Sequence, residues 1–283
     1  MTFNDDAKID SSKVKRRGRS TGIAVGGGGI AFVIIAFVVG QLTGINIGDL
    51  APQTGGGGGD DKAIANCQTG EDANASLDCR IASAADSLDT YWPTQFSSGY
   101  STPETILFTD QVSTGCGTAS SATGPFYCPA DQTIYIDTSF YQELSTTYGA
   151  NGGPLSELYV LAHEWGHHVQ HLAGTTEGLD LQDSGPDSDS VKLELQADCY
   201  AGSWAGAATE IRNDEGVAFL DPITKEQVAD ALSAASAVGD DRIQESSGGS
   251  VNREAWTHGS SDQRQKWFLA GYNGGTDACN TFA

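Results

Sequence analysis

The residues with the clearest chemistry lie in Leu161-Ala162-His163-Glu164-Trp165-Gly166-His167-His168-Val169-Gln170-His171. His163 and His167 are four apart, so on an α-helix they share a face, about 6 Å from each other along the axis. Two imidazoles so placed can reach one cation at about 2.0–2.1 Å. Glu164 follows His163 by one residue. It flanks such a cation instead of joining the pair, and it is placed to take a proton from a water held there. This is the His-Glu-x-x-His pattern of zinc hydrolases. The bland reading of the same spacing is two surface histidines on an ordinary amphipathic helix.

A second stretch, Val191-Lys192-Leu193-Glu194-Leu195-Gln196-Ala197-Asp198, puts two carboxylates four residues apart. Glu194 is a suitable third zinc ligand that leaves a fourth position open. Asp198, one turn on, can accept the free N–H of a ligand imidazole and fix its tautomer. A solvated acidic face is the alternative, but Leu193, Leu195, Ala197, Cys199 and Ala201 around them read as core-facing. Carboxylates in such company usually have a partner.

With both stretches in view, His-Glu-x-x-His followed by Glu-x-x-x-Asp resembles the gluzincin arrangement of zinc peptidases. The wording around His163–Gln170 and Leu193–Gly202 is similar to the neutral zinc metallopeptidase family, the YpfJ-like proteins. Carried across position by position, the resemblance implies that His163, His167 and Glu194 hold one Zn2+. It implies Glu164 as the base and Asp198 as the partner of a ligand histidine. Two nearby histidines are read as non-ligands. His171 is eight residues from His163, about 12 Å along a continuous helix, and His168 is about 100° around the axis from His167. The position six after His167, where a metzincin has its third histidine, is Ala173.

These side chains need two helices. Leu155, Leu158, Tyr159, Leu161, Ala162, Trp165, Val169 and Leu172 recur at helical spacing, with Pro154 to open the first helix and Gly174 to close it. Residues 190–212 read as the second. Around them the pattern predicts helices over 75–91, from Phe140, and over 224–237 with Thr224 as cap. Short strands are predicted at 105–109, 126–128 and 133–137, and loops at 115–124, 175–190 and 240–252. In zincin-like folds an edge strand lies above the active-site helix and pairs with extended peptide, and the segment 126–137 is the candidate. The stretch Thr257-His258-Gly259-Ser260-Ser261, with Arg264 opening a helix, is also similar to the family. By that resemblance His258 or Arg264 reaches the cleft, one to stabilise an oxyanion or to pair with a motif carboxylate. Otherwise Ser260 or Ser261 caps a helix and His258 is incidental.

The chain has 283 residues and a formal charge of −22. Residues 1–22 hold six basic and three acidic side chains, so the rest is more acidic still. That argues against nucleic-acid binding, which needs a cationic surface. Residues 23–44 carry no charge, and Ile30 to Val39 are strongly apolar. As a helix the stretch spans about 33 Å, enough for a bilayer core. A cleaved signal peptide is the rival, but no Ala-x-Ala site follows the apolar run. The reading is a single-pass anchor, with 1–22 as a disordered basic cytoplasmic tail by the positive-inside rule. Residues 45–66, with five consecutive glycines, are a linker. Residues 67–283 form the extracellular domain.

All six cysteines fall in that domain, and their even count points to disulfides. Their spacing suggests Cys67–Cys79, Cys116–Cys128 and Cys199–Cys279, one of fifteen pairings. A cysteine zinc site is disfavoured because no Cys-x-x-Cys pair occurs. The expected protein is therefore a zincin-like α+β fold behind one transmembrane helix. Its expected function is a membrane-anchored zinc metalloendopeptidase acting on protein or peptide substrates. The alternative is a catalytically silent, disulfide-bonded scaffold of the cell envelope.

Overall fold

A computed structural model describes residues 3–18 and 61–283. Its centre is a five-stranded mixed sheet. β1 (Val14–Arg17) and β2 (Asp61–Ala63) are antiparallel neighbours. β3 (Glu104–Phe108) lies parallel to β1. A two-stranded hairpin, β4 (Gln111–Thr114) and β5 (Gly117–Ser120), follows. β6 (Phe126–Cys128) pairs antiparallel with β7 (Thr133–Asp137), and β7 runs parallel to β3. The order β2-β1-β3-β7-β6 leaves β6 as an edge strand.

Strands β3, β6 and β7 are buried on both faces, whereas β2 is exposed, and the period of two along each strand sorts its side chains. Leu107, Ile134, Ile136 and Tyr127 join the large core beneath the helices. Ile106, Phe108, Tyr135, Phe126 and Cys128 form a second core with Val112, Cys116 and Ala119 of the hairpin. The hairpin falls partly in the stretch expected to be a loop. Its strands are short and rich in Gly, Ser and Thr, so their pairing is fixed by the apolar cover and the Cys116–Cys128 bridge, not by local preference.

Eight α-helices lie among the described residues. They are α1 (Gly70–Ala75), α2 (Leu77–Tyr91), α3 (Phe140–Thr146), α4 (Pro154–Leu172), α5 (Asp189–Ala207), α6 (Lys225–Ala237), α7 (Asp240–Ser246) and α8 (Ser261–Gly274). Helix α4 is buried nearly all round, packed against α2, α5 and α6 and touching β6 and β7. Thr224 caps α6 through a capping box with Gln227, and Ser260 caps α8 with Gln263. Helices α5 and α8 approach so closely that a Cβ on Gly271 would stand 1.8 Å from the Cys199 carbonyl oxygen. Helix α7 occupies part of the predicted 240–252 loop. A seven-residue helix is not stable alone; this one is held by contacts of Asp240 with 257–259.

Two expectations about the N-terminal region meet the structure differently. The apolar stretch 23–44 lies outside the described residues; among those described, no helix is long and apolar enough to cross a membrane. The basic tail, expected to be disordered and separate, is over residues 3–18 part of the fold. Phe3, Ala7 and Val14 are buried. Phe3 bridges to Leu220, and its backbone is held on both sides by the Asn74 amide. The reason is long-range complementarity, since the tail's basic side chains find acids far along the chain.

The three disulfides join Cys67 to Cys79, Cys116 to Cys128 and Cys199 to Cys279, the pairing that spacing suggested.

Candidate metal centre

Helix α4 presents His163 and His167 on one face, and α5 crosses it with Glu194. The two helices touch at Gly166, where a Cβ would come within 3.0 Å of the Ala197 Cα. Ala197 lies between Glu194 and Asp198 in sequence. The close approach therefore delivers both carboxylates to the histidine face. His163 Nε2 is 3.1 Å from Glu194 Oε2, and His167 Nε2 is 3.4 Å from Glu194 Oε1. Donor atoms of His163, His167 and Glu194 all lie within 4.8 Å of one another, and all three residues are buried.

The second nitrogen of each imidazole fixes its tautomer. His163 Nδ1 donates to Asp198 Oδ1 at 2.9 Å. His167 Nδ1 is 2.9 Å from Gln170 Oε1. The Gln170 amide nitrogen donates to the Leu193 carbonyl at 2.7 Å and to Gln196 Oε1. Its oxygen is thus left to accept from His167. Both Nε2 lone pairs then face the Glu194 carboxylate. Three electron-pair donors aimed at one buried point repel unless a cation lies among them. A divalent ion such as zinc fits this donor set. Without one, protons take that part. Burial disfavours a charged His163, but Asp198 and Glu194 outweigh it and raise its pKa to about 10. Glu194 moves the opposite way: burial raises it, yet His167, His258 and His163 hold it well below the usual carboxylate range.

Asp198 is itself held. Burial pushes its pKa up, and Arg264 and His163 bring it below normal. Arg264 donates from Nε to Asp198 Oδ2 at 2.8 Å and from Nη2 to Asp198 Oδ1 at 3.0 Å. It also donates to Tyr159 OH at 3.1 Å, and that hydroxyl donates to Asp198. Sequence reasoning missed Tyr159, Gln170 and Asp240. The first two carried a legible signal. Tyr159 is one turn before His163, and Gln170 is three residues after His167, so each shares its histidine's face. Asp240 carried none.

Glu164 lies in the cleft, buried, with its carboxyl pKa raised by desolvation against the pull of His167 and His163. The backbone N–H of Tyr127 on edge strand β6 also opposes that rise. His258 also lines the cleft. Its Nδ1 is 3.5 Å from Asp240 Oδ1. Asp240 Oδ2 accepts the backbone N–H groups of Thr257, His258 and Gly259 at 2.7–2.9 Å. Both tail candidates line the cleft, and Arg264 in addition pairs with the motif carboxylate Asp198. The remaining cleft wall is apolar, with Pro125, Phe140, Val160, Val238 and Ile243.

His168 and His171 stand apart from this cluster. The Tyr127 hydroxyl bridges them, 3.0 Å from His168 Nδ1 and 2.7 Å from His171 Nδ1. His168 Nε2 donates to the Ser101 carbonyl, and burial pulls its pKa down to about 4. It stays neutral and structural.

Comparison with known proteins agrees with the donor set. The chain belongs to the family described as "Putative neutral zinc metallopeptidase", whose model matches residues 3–282. Uncharacterized protein Rv2575 of Mycobacterium tuberculosis (strain ATCC 25618 / H37Rv) is 49% identical, over 78% of this chain and 75% of its own. Uncharacterized protein YpfJ of Escherichia coli (strain K12) is 36% identical, over 94% of each chain. No solved structure matches.

Proposed function

We propose that this protein is a zinc-dependent metalloendopeptidase of the extracytoplasmic side. The observation that carries the reading is the convergence of His163, His167 and Glu194 on one point, with Glu164 in the same cleft. Those three residues would hold the ion. Zinc bound there supplies Lewis-acid polarisation of a peptide carbonyl and an acidified water.

The chain's own groups do the rest. Glu164, desolvated and hence more basic than an exposed carboxylate, accepts a proton from the attacking water and passes it to the leaving amine. Asp198, anchored by Arg264, keeps the His163 Nε2 lone pair pointed inward. His258 has a pKa raised above 6.5: burial lowers it, but Glu194 and Asp240 prevail. It is therefore placed to give an N–H to a developing oxyanion. The free edge of β6 can pair with extended peptide backbone. The apolar wall at Val160, Val238 and Ile243 selects substrates with a large apolar side chain beside the scissile bond. The three disulfides support an oxidising compartment.

The test uses the whole chain, because β1 belongs to the central sheet. Zinc-loaded protein should cleave unstructured casein, lose that activity with chelator, and regain it with added zinc. Glu164→Gln should keep one zinc and lose about 10²–10⁴-fold in rate. A protein that binds one zinc and cuts no peptide in an unbiased library would instead be the silent scaffold.

A further inference from the structure

We infer that residues 3–18 and residues 61–283 lie on the same face of any membrane this chain meets. The inference is independent of the peptidase reading and rests on the sheet.

Strand β1 is an interior strand, paired with β2 on one side and β3 on the other. Its last residue, Arg17, is the register partner of Asp61, the first residue of β2. Their side chains also meet, Nε to Oδ1 at 2.6 Å and Nη2 to Oδ2 at 2.9 Å. Directly opposed Cα atoms on antiparallel strands are about 5 Å apart. The chain thus leaves the sheet and returns to it at one place. A bilayer core is about 30 Å thick. One crossing between Arg17 and Asp61 would put them on opposite faces and pull β1 out of the sheet.

Withdrawal of the tail would undo more than two ladders. It would uncover the sites of Phe3, Ala7 and Val14 and expose β3 as a new edge. It would also strip partners from acids of the domain. Lys8 pairs with Glu215, Lys13 with Asp89, Lys15 with Glu104, Arg16 with Asp78 and Arg17 with Asp61. These are the same basic side chains that, read in sequence, retain an N-terminus in the cytoplasm. In the fold each pairs with an acid of the domain.

The experiment uses the full chain in its native membrane. The described residues hold no free cysteine, and Asp6 and Asp187 are both exposed. Asp6→Cys and Asp187→Cys are made separately and treated with a membrane-impermeant maleimide, with the cytoplasmic membrane sealed and then opened. The two positions should label alike in each condition. Labelling of Asp187→Cys before opening, but of Asp6→Cys only after it, would overturn the inference. A second measurement needs no substitution. Zero-length carbodiimide treatment of the membranes should join Lys15 to Glu104, read by mass spectrometry. Recovery of both peptides, unlinked, from carbodiimide-modified protein would also overturn it.

Discussion

Arg264 and Asp198 meet through two parallel hydrogen bonds, 2.8 and 3.0 Å long, with both side chains buried beneath the donor cluster. A buried aspartate can hold a histidine N–H without taking up a proton only if a cation compensates its charge. Arg264, 66 residues away, is that cation. Removing it as Arg264→Ala leaves buried Asp198 with His163 as its one charged partner, and should cost about 3–5 kcal/mol in chemical denaturation of the zinc-free protein. Asp198→Asn removes the acceptor charge and should weaken zinc binding about 10–100-fold by competition with a chromophoric chelator. Unaltered zinc titration in Asp198→Asn would show that His163 needs no such support.

On the other histidine the support is neutral. Gln170 fixes His167, Gln196 touches Gln170, and the Gln196 amide donates to the Cys279 carbonyl at 3.0 Å. Gln170→Ala should lower zinc affinity about 10–100-fold with little change in fold. Loss of the Cys199–Cys279 bridge, which spans 80 residues, should cost about 2–5 kcal/mol of stability and a smaller part of that affinity. Calorimetry of zinc binding on both variants separates the two effects.

The Asp240–His258 pair gives a pH signature in the zinc-free protein. Burial raises the Asp240 pKa, but the bond from His258 carries it below 3.8, so its stabilisation is present above about 3.8 and lost as pH falls through the folded value. His258 is raised above 6.5, so its share is full below about 6.5 and lost as pH rises through the folded value. Asp240→Asn should therefore destabilise most between about pH 4 and 6.5, by about 1–3 kcal/mol, with a gap that narrows at higher pH. Melting curves across pH 4–9 check this; a gap that widens with pH would reverse the assigned charges.

If the protein is the proposed peptidase, substitution in the cleft wall should relax its substrate preference. Val160→Ala and Ile243→Ala remove apolar surface beside the donor cluster. The preference for Leu or Phe over Ala next to the cut bond should fall about 10-fold in kcat/KM, with zinc content unchanged. An unchanged preference would place the selecting surface elsewhere.

Much of this site was legible before folding because its spacing is local. His163, Glu164 and His167 occupy one helix, and Glu194 and Asp198 another, and a period of 3.6 residues decides which side chains share a face. Strands 126–128 and 133–137 and the Thr224 and Ser260 caps were equally local signals. The hairpin of β4 and β5 and helix α7 carried no such signal. Gly, Ser, Thr and Asp read as loop, and only packing against the rest of the domain overrides that reading.

What the amino-acid order determined by itself is the inventory: two facing pairs of potential ligands and supports, a base beside them, an acidic body and an even set of cysteines. Only the tertiary structure decided who meets whom across distance. Asp240 reaches His258, Arg264 reaches Asp198, and the basic residues of 3–18 reach acids 44 to 207 positions away. No periodicity encodes those meetings. They follow from the closure of one core around α4, in which each buried charge must find its counterpart or stay in water.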